Sequence, residues 1–202
     1  MATGSAILGS LLERLGLPST VLSLLLAHAG AVKRETDRLG LVGPGEDIIR
    51  RHSADSLLFA LVRTPAPDER WIDVGSGAGF PGLVLAVCFP DTTFTLLEPL
   101  KRRAGFLELQ TADLGLANVG VDARRLSEVE DGSYDVAVAR ALEEPDRALR
   151  SIVRVVSTGG EAVVAIGSGA AKPADPAVRE VRLDGIGDVD SPGRFFMMAR
   201  GA

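Results

Sequence analysis

Four glycines lie within eight residues, at positions 75, 77, 79 and 82, directly after a short apolar segment, Trp71 to Val74. Glycine adopts backbone angles with positive φ and leaves room for a ligand close to the main chain. A strand, a glycine-rich turn and a helix in this order are typical of a nucleotide-binding unit in an open α/β sheet. Pro81 can open the helix, because the first helical N–H groups need no helical partner. This segment constrains the fold more than any other part of the chain.

Short β-type segments alternate with helical ones from residue 71 onwards. The predicted strands are residues 71–74, 92–97, 119–121, 134–139, 162–166, 178–183 and 194–199, and the predicted helices are 81–88, 100–114 and 145–156. Such alternation predicts a mostly parallel central sheet with helices on both faces. The last two strands follow each other across a modest loop, which predicts an antiparallel final strand. The expected fold is α/β and Rossmann-like.

The first 64 residues differ from the rest, because their pattern is helical throughout. We predict a helical extension, residues 1–64, packed on a core formed by residues 65–202, in one structural domain. A chain of 202 residues with 46% apolar content suffices for one hydrophobic core. The apolar run Leu15 to Ala29 is shorter than the roughly 20 residues of a membrane span. Cys88, the single cysteine, fits a reducing compartment. The sequence therefore predicts a cytoplasmic protein with no membrane association.

Two cofactors compete for the glycine segment. Residues 77–82, Gly-Ala-Gly-Phe-Pro-Gly, match the dinucleotide pattern G-x-G-x-x-G, which suits NAD. Asp73 favours S-adenosylmethionine, because a carboxylate at the strand end attracts a free ammonium group and repels a pyrophosphate. Glu98 ends the second predicted strand, where an acid can bind the ribose hydroxyls of either cofactor. The sequence thus favours a class I methyltransferase over an NAD-linked oxidoreductase. An Asp73 side chain that points into the interior, with no cavity between it and Glu98, would contradict this interpretation.

Several methyl-transfer chemistries are disfavoured by missing residues. Transfer to an exocyclic amine usually uses an Asn or Asp followed by prolines after the fourth strand, where this chain has residues 139–142, Ala-Arg-Ala-Leu. Transfer to pyrimidine carbon needs a thiolate, and Cys88 lies in an apolar helical segment. Only His28 and His52 are available as imidazole ligands, so no metal is expected. The remaining acceptor is a ring nitrogen with a free lone pair, which requires only in-line alignment.

Two groups of cations allow more than one interpretation. Arg140 could donate to a guanine edge or support the cofactor, and its alternative role is a salt bridge to Glu143 or Glu144. The segment 101–103, Lys-Arg-Arg, lies at a helix start, where the macrodipole disfavours cations. An RNA phosphate or simple solvation of the long side chains could offset this. The net charge of -5 means that any RNA contact depends on such a local cluster.

Two stretches resemble a known family. Arg51 to Leu57 is similar to its R-H-x-x-D-S-L motif, and Asp73 to Gly82 is similar to its glycine-rich motif. The family is glucose-inhibited division protein B, bacterial methyltransferases that modify guanine N7 in small-subunit (16S) ribosomal RNA. The resemblance covers about residues 46–167. Three departures stand out: residues 33–40 keep only Leu39 of W-N-x-x-x-N-L-T, Ile166-Gly167 replaces K-G, and Ser127 replaces the usual acid.

The resemblance implies S-adenosylmethionine as cofactor and ribosomal RNA or the small ribosomal subunit as a transient partner. It places His52, Asp55 and Ser56 on one helical face near the pocket, although the residues alone suggest a local His52–Asp55 pair. The candidate cofactor-binding residues are Asp73, Gly75, Ser76, Gly77, Gly79, Phe80, Glu98, Leu126, Ser127 and Arg140. The candidate catalytic residues are Arg140 and His52, and the candidate RNA contacts are Lys101, Arg102 and Arg103. Methylation of a small molecule, and cofactor or RNA binding without turnover, are the alternatives within this fold.

Overall fold

The computed structural model describes residues 3–140, 145–166, 171, 173–183 and 193–201. Its strands are β1 Arg70–Val74, β2 Thr93–Leu97, β3 Val119–Asp122, β4 Tyr134–Arg140, β5 Val156–Ala165, β6 Val178–Arg182 and β7 Arg194–Ala199. They form one sheet in the order β3-β2-β1-β4-β5-β7-β6. Neighbours from β3 to β5 are parallel, and β7 is antiparallel to both β5 and β6. The predicted fold class is confirmed.

Helices occupy the N-terminal region and the crossovers between strands. They are α1 Gly4–Arg14, α2 Val21–Leu39, α3 Asp55–Val62, α4 Gly82–Cys88, α5 Lys101–Asp113 and α6 Pro145–Val153, with a π-helical turn at Ile49–Ala54. The predicted extension of the last helix to residue 156 is wrong. Val156 pairs with Tyr134 and begins β5, as suits a β-branched side chain that is buried against the sheet.

Each face of the sheet carries its own hydrophobic core. One core joins Leu8 of α1, Leu25 of α2 and Leu57 of α3 to α4, α5 and the sheet. The other joins Leu149 and Ile152 of α6 to the opposite face. The helices before residue 65 therefore share their buried surface with the strands and crossover helices.

The parallel topology creates a crevice at the carboxyl ends of the strands. Strand β1 lies between β2 and β4, and the crossover helices α4 and α6 cover opposite faces of the sheet. In an open α/β sheet, ligands bind where the strand order reverses in this way. The segment after β1 at Gly75, the residue after β2, Glu98, and the last residue of β4, Arg140, all lie at this edge.

Helix length and hydropathy bear on membrane association. Among the residues that the structure describes, no helix combines the length and the apolar character needed to cross a bilayer.

Candidate cofactor site

Asp73, the second-last residue of β1, holds the glycine segment through hydrogen bonds. Its side chain is fully buried, and Oδ2 accepts hydrogen bonds from Ser76 Oγ (2.7 Å) and the Gly82 N–H (2.8 Å). Burial raises its pKa to about 6, against the lowering effect of these two bonds and of Arg140. Oδ1 has no hydrogen-bond partner among the described residues. The carboxylate points inward and anchors the loop, and the predicted ammonium contact stays a prediction.

Two positions of the glycine segment have no room for a side chain. Gly79 has φ +94°, and a Cβ there would lie 2.9 Å from Cβ of Leu83. A Cβ on Gly82 would lie 2.6 Å from Cβ of Asp73, so the start of α4 can approach β1 only without a side chain. Gly75 and Gly77 also have positive φ. The backbone thus turns sharply away from the sheet directly after β1.

Glu98 follows β2 and joins the same loop. It is 4% exposed, and its Oε2 accepts the Gly77 N–H (3.0 Å) while Oε1 accepts the Leu100 N–H (2.9 Å). A carboxylate offers about four acceptor positions. Two of them therefore remain for donors such as ribose hydroxyls, beside a loop that Glu98 itself holds in place.

Arg140 and His52 meet over the ring of Phe80. Nη2 of Arg140 donates to Nδ1 of His52 at 2.7 Å. The His52 ring stacks on Phe80 with centroids 5.2 Å apart, and the guanidinium lies 5.7 Å from the centre of the same ring. His52 therefore pairs with Arg140 and not with Asp55. Glu143 and Glu144, the alternative partners of Arg140, lie outside the described residues.

Acidic groups outnumber cations around this loop. The Arg140 guanidinium interacts electrostatically with Asp55, Asp73 and Glu46, and Glu98 interacts with Asp73. His52 adds no charge near neutral pH, because burial and the neighbouring Arg140 lower its pKa. Among the described residues around the loop, four carboxyl groups therefore outnumber two guanidinium groups, those of Arg140 and Arg51, a balance that attracts a cationic ligand and repels a pyrophosphate.

Leu126 and Ser127 lie on a short 3₁₀ turn, Leu126–Glu128, that follows β3. Leu126 packs against the core on the α6 side of the sheet, and Ser127 is exposed. The turn follows the carboxyl end of β3, which neighbours β2, so it lies at the same edge of the sheet as Glu98. This position suits the adenine end of a nucleoside whose ribose is at Glu98.

The cations at the start of α5 divide into two kinds. Lys101 and Arg102 are exposed. Arg103 donates through its guanidinium to the carbonyl of Gly40, which ends α2. Arg103 thereby ties α5 to α2, a structural role that the sequence did not predict, and its contact with RNA stays a prediction. A carbonyl at a helix C-terminus favours a nearby cation, and this contact offsets the unfavourable position of the Arg103 charge at the start of α5. The two explanations drawn from the sequence, an RNA phosphate and solvation, do not include this contact with α2.

Most of the chain matches the sequence pattern of one known family. The profile of the GidB family, described as rRNA small subunit methyltransferase G, matches residues 16–190. The chain belongs to this family.

Two relatives carry the same description as the GidB profile. Ribosomal RNA small subunit methyltransferase G of Clavibacter sepedonicus is 40% identical over 157 residues, which is 76% of this chain and 73% of the relative. The protein of the same description from Salinispora tropica is 40% identical over 159 residues, which is 74% of this chain and 65% of the relative.

Solved structures share the fold at low sequence identity. A mutant of MtNAS in complex with S-adenosylmethionine has a TM-score of 0.60 and 17% identity, covering 88% of this chain and 72% of that chain. A SAM-dependent methyltransferase from Aquifex aeolicus has a TM-score of 0.55 and 15% identity, covering 84% of this chain and 95% of that chain. These likenesses concern the fold alone, and they agree with the Rossmann-like sheet of this GidB family member.

Cys88 has a packing role in this family member, as predicted. It is buried in α4, and burial raises its pKa to about 12, so the thiolate is not accessible near neutral pH. Among the described residues, no group of three or more His, Cys, Asp and Glu side chains is arranged to hold a metal ion.

Two residues near the loop were not anticipated from the sequence. His28 of α2 is fully buried, and its ring lies 5.2 Å from that of Phe80. Glu46, in the loop between α2 and the π-helical turn, contacts His52. Neither residue belongs to a motif. The contact between Glu46 and His52 depends on the direction in which the π-helical turn presents the His52 side chain. An acid six residues before the motif histidine was the only available signal for Glu46.

Proposed function

We propose that this chain is an S-adenosylmethionine-dependent methyltransferase of small-subunit ribosomal RNA, with guanine N7 as the acceptor atom. Membership of the GidB family, with relatives described as ribosomal RNA small subunit methyltransferase G, supports the class of enzyme and the RNA. The N7 acceptor depends on the resemblance noted in the sequence and on the residues that the site lacks. A ribosomal substrate implies that the protein acts in the cytoplasm.

The excess of carboxylates around the glycine loop is the observation that carries the choice of cofactor. Among the described residues, the carboxyl groups of Glu46, Asp55, Asp73 and Glu98 outnumber the guanidinium groups of Arg140 and Arg51. S-adenosylmethionine presents an ammonium and a sulfonium, whereas NAD presents two phosphates. Coulombic attraction therefore favours the former, and a pyrophosphate at the same loop would be repelled.

The residues at the crevice fit the parts of S-adenosylmethionine. The free acceptor positions of Glu98 suit the ribose hydroxyls, and the turn with Leu126 and Ser127 suits the adenine. Asp73 Oδ1, buried and without a partner among the described residues, suits the ammonium group. The Arg140 guanidinium suits the carboxylate of the amino-acid part. Gly75 and Gly77 let the backbone approach the ligand between these groups.

The chemistry asks little of the protein beyond alignment. When bound, S-adenosylmethionine supplies a methyl group on a sulfonium, which becomes a neutral thioether as the S–CH3 bond breaks and the N7–CH3 bond forms. The N7 lone pair carries no proton, so the chain need not provide a base. The roles left to its residues are to hold both reactants in line and to exclude water. Arg140 and His52, at the loop, are positioned for the first role.

Lys101 and Arg102 offer a route for RNA beside this crevice. They occupy the first turn of α5, immediately beyond the segment that begins with Glu98. Arg102 also lines a groove of about 260 Å³ between α2 and α5, together with Arg34 and Arg38. Phosphates bound along this groove would lie on α5, the helix that begins three residues after Glu98.

Calorimetry tests the cofactor. Titration with S-adenosylhomocysteine should give saturable binding, and NAD should give none. The opposite pattern would assign the chain to the oxidoreductase class, and binding of neither ligand would remove the proposed function.

Nucleotide mapping tests the substrate. Small-subunit RNA from cells that lack the protein should lose one N7-methylguanine, and the purified protein with S-adenosylmethionine should restore it. Unchanged N7 methylation in such cells, together with S-adenosylhomocysteine binding in vitro, would favour a small-molecule methyltransferase or a binding protein without turnover.

A further inference from the structure

A chain of three side chains links the loop before the π-helical turn to the glycine segment. Oε2 of Glu46 lies 2.6 Å from Nε2 of His52, and Nδ1 of the same ring lies 2.7 Å from Nη2 of Arg140. The two contacts use both nitrogens of one imidazole. Glu46 and Arg140 come from elements that are 94 positions apart in sequence, so only the fold brings them onto one ring.

The identity of these partners fixes the proton on His52. A guanidinium has only donors, so Nδ1 must accept and carry no proton. The proton of the neutral ring is then on Nε2, where the Glu46 carboxylate accepts it. The charge states agree, because burial lowers the pKa of His52 and the hydrogen bond from His52 lowers the pKa of Glu46. The arrangement is a neutral imidazole between a carboxylate and a guanidinium.

The loop that carries Glu46 is shaped around this side chain. Gly45 has φ +71°, a backbone conformation that favours glycine. A Cβ on Gly43 would lie 2.7 Å from Oε1 of Glu46, so the backbone at residue 43 packs directly on the carboxylate. Glu46 is therefore confined to the side of the loop that faces His52, and Asp47, the next residue, is exposed and caps the following turn through the Arg50 N–H.

We propose that Glu46 is a positioning residue, which selects the Nε2–H tautomer of His52 and thereby holds the Arg140 guanidinium over Phe80 at the cofactor loop. The inference depends on the proposed function, since it gives Arg140 a ligand to meet. With the other tautomer, Nδ1–H would oppose a guanidinium N–H, and Arg140 would keep only the long bonds that Nη1 donates to the carbonyls of Arg51 (3.4 Å) and His52 (3.5 Å). Glu46 does not touch the reacting atoms. Its effect passes through two hydrogen bonds.

Glu46→Gln tests the proposal, with Asp47→Asn as a matched control from the same loop. Both changes replace one carboxylate by its isosteric amide, and Asn still caps a turn. A glutamine can donate to Nε2, so it permits the Nδ1–H tautomer. We expect the ¹⁵N shifts of His52 to report Nε2–H in the starting protein and in Asp47→Asn, and a shift towards Nδ1–H in Glu46→Gln. S-adenosylhomocysteine affinity should fall about tenfold in Glu46→Gln only.

His52→Asn separates positioning from a general structural role. The amide oxygen of asparagine can accept from Arg140 where Nδ1 stood, but asparagine does not reach Glu46. In this background, Glu46→Gln should add no further loss of affinity, because the double-mutant coupling runs through the ring. An additive loss would overturn the proposal. An unchanged His52 tautomer in Glu46→Gln, or an altered tautomer with the affinity of Asp47→Asn, would overturn it as well.

Failure of the proposed function gives a different result. A starting protein that binds no S-adenosylhomocysteine would remove that function, whereas the ¹⁵N shifts would still report whether Glu46 sets the tautomer of His52.

Discussion

Nδ1 of His28 lies 3.3 Å from Oε1 of Gln110, and this buried contact joins α2 to α5 directly beneath the glycine loop. The amide oxygen accepts, so Nδ1 carries the proton, and Nε2 faces the loop at Gly79. The N-terminal helices thus do more than cover the sheet. They supply a titratable group against the underside of the segment on which the proposed cofactor would rest.

His28 makes stability depend on pH. Burial lowers its pKa from 6.5 to about 4. The unfolded chain binds this proton more tightly than the folded chain does, so stability is lost as pH falls below 6.5 towards 4. Between pH 7 and pH 5 the loss from this residue is about 2 kcal/mol. Urea unfolding at both pH values should therefore show a smaller loss in His28→Gln than in the starting protein. Equal losses in the two proteins would contradict the assignment.

Asp73→Asn should separate stability from ligand binding. The pKa of Asp73 is raised to about 6, so the folded state binds its proton more tightly than the unfolded state does. Its charge therefore opposes folding at pH 7. An amide removes that penalty, and its oxygen in the place of Oδ2 can still accept from both Ser76 and Gly82. We expect an unfolding free energy at pH 7 no lower than before, and S-adenosylhomocysteine affinity at least about tenfold weaker. Unchanged affinity would show that the carboxylate does not serve the ligand.

Glu98→Gln should weaken binding of the nucleoside part. The amide retains one acceptor oxygen, so only one of the N–H groups of Gly77 and Leu100 keeps its partner, and fewer acceptor positions remain for ribose. The affinity for both adenosine and S-adenosylhomocysteine should fall about tenfold in calorimetry. Glu108→Gln, on the exposed side of α5, provides the control and should bind as before. A lower affinity for S-adenosylhomocysteine with an unchanged affinity for adenosine would contradict the ribose role.

Arg102→Ala should reduce RNA binding through charge alone. Removing one phosphate contact lowers the slope of log affinity against log salt by about 1. Filter binding of a small-subunit RNA fragment at several salt concentrations measures this slope. Arg14→Ala removes an exposed arginine at the end of α1 and should leave the slope unchanged. Equal slopes in both variants would exclude the groove between α2 and α5 as an RNA contact.

The sequence determined the elements that depend on local chemistry. The glycines at 75, 77, 79 and 82 can turn a backbone in a way other residues rarely do, so a sharp bend after β1 follows from residue type. Alternating apolar segments gave the seven strands and the reversed final strand for the same local reason. The end of α6 was misplaced because three of the residues 153–156 are valine, and such a segment suits either a helix face or a strand until a neighbouring strand pairs with it.

Tertiary structure decided which side chains meet. Asp73 was assigned to the cofactor from its place at the strand end, and the packing of α4 on β1 adds the hydrogen bonds from Ser76 and Gly82 to its Oδ2. Arg103 was grouped with Lys101 and Arg102 by position, and the approach of α2 gave it a different partner. The contacts among Glu46, His52 and Arg140 could not be predicted from the sequence. Hydrogen bonds between distant elements depend on the relative positions of those elements, which only the packed core fixes. Conformational preferences act over a few residues, so they can be predicted from the sequence. Contacts across the crevice form only when packing of the helices on the sheet has fixed the distances between these side chains.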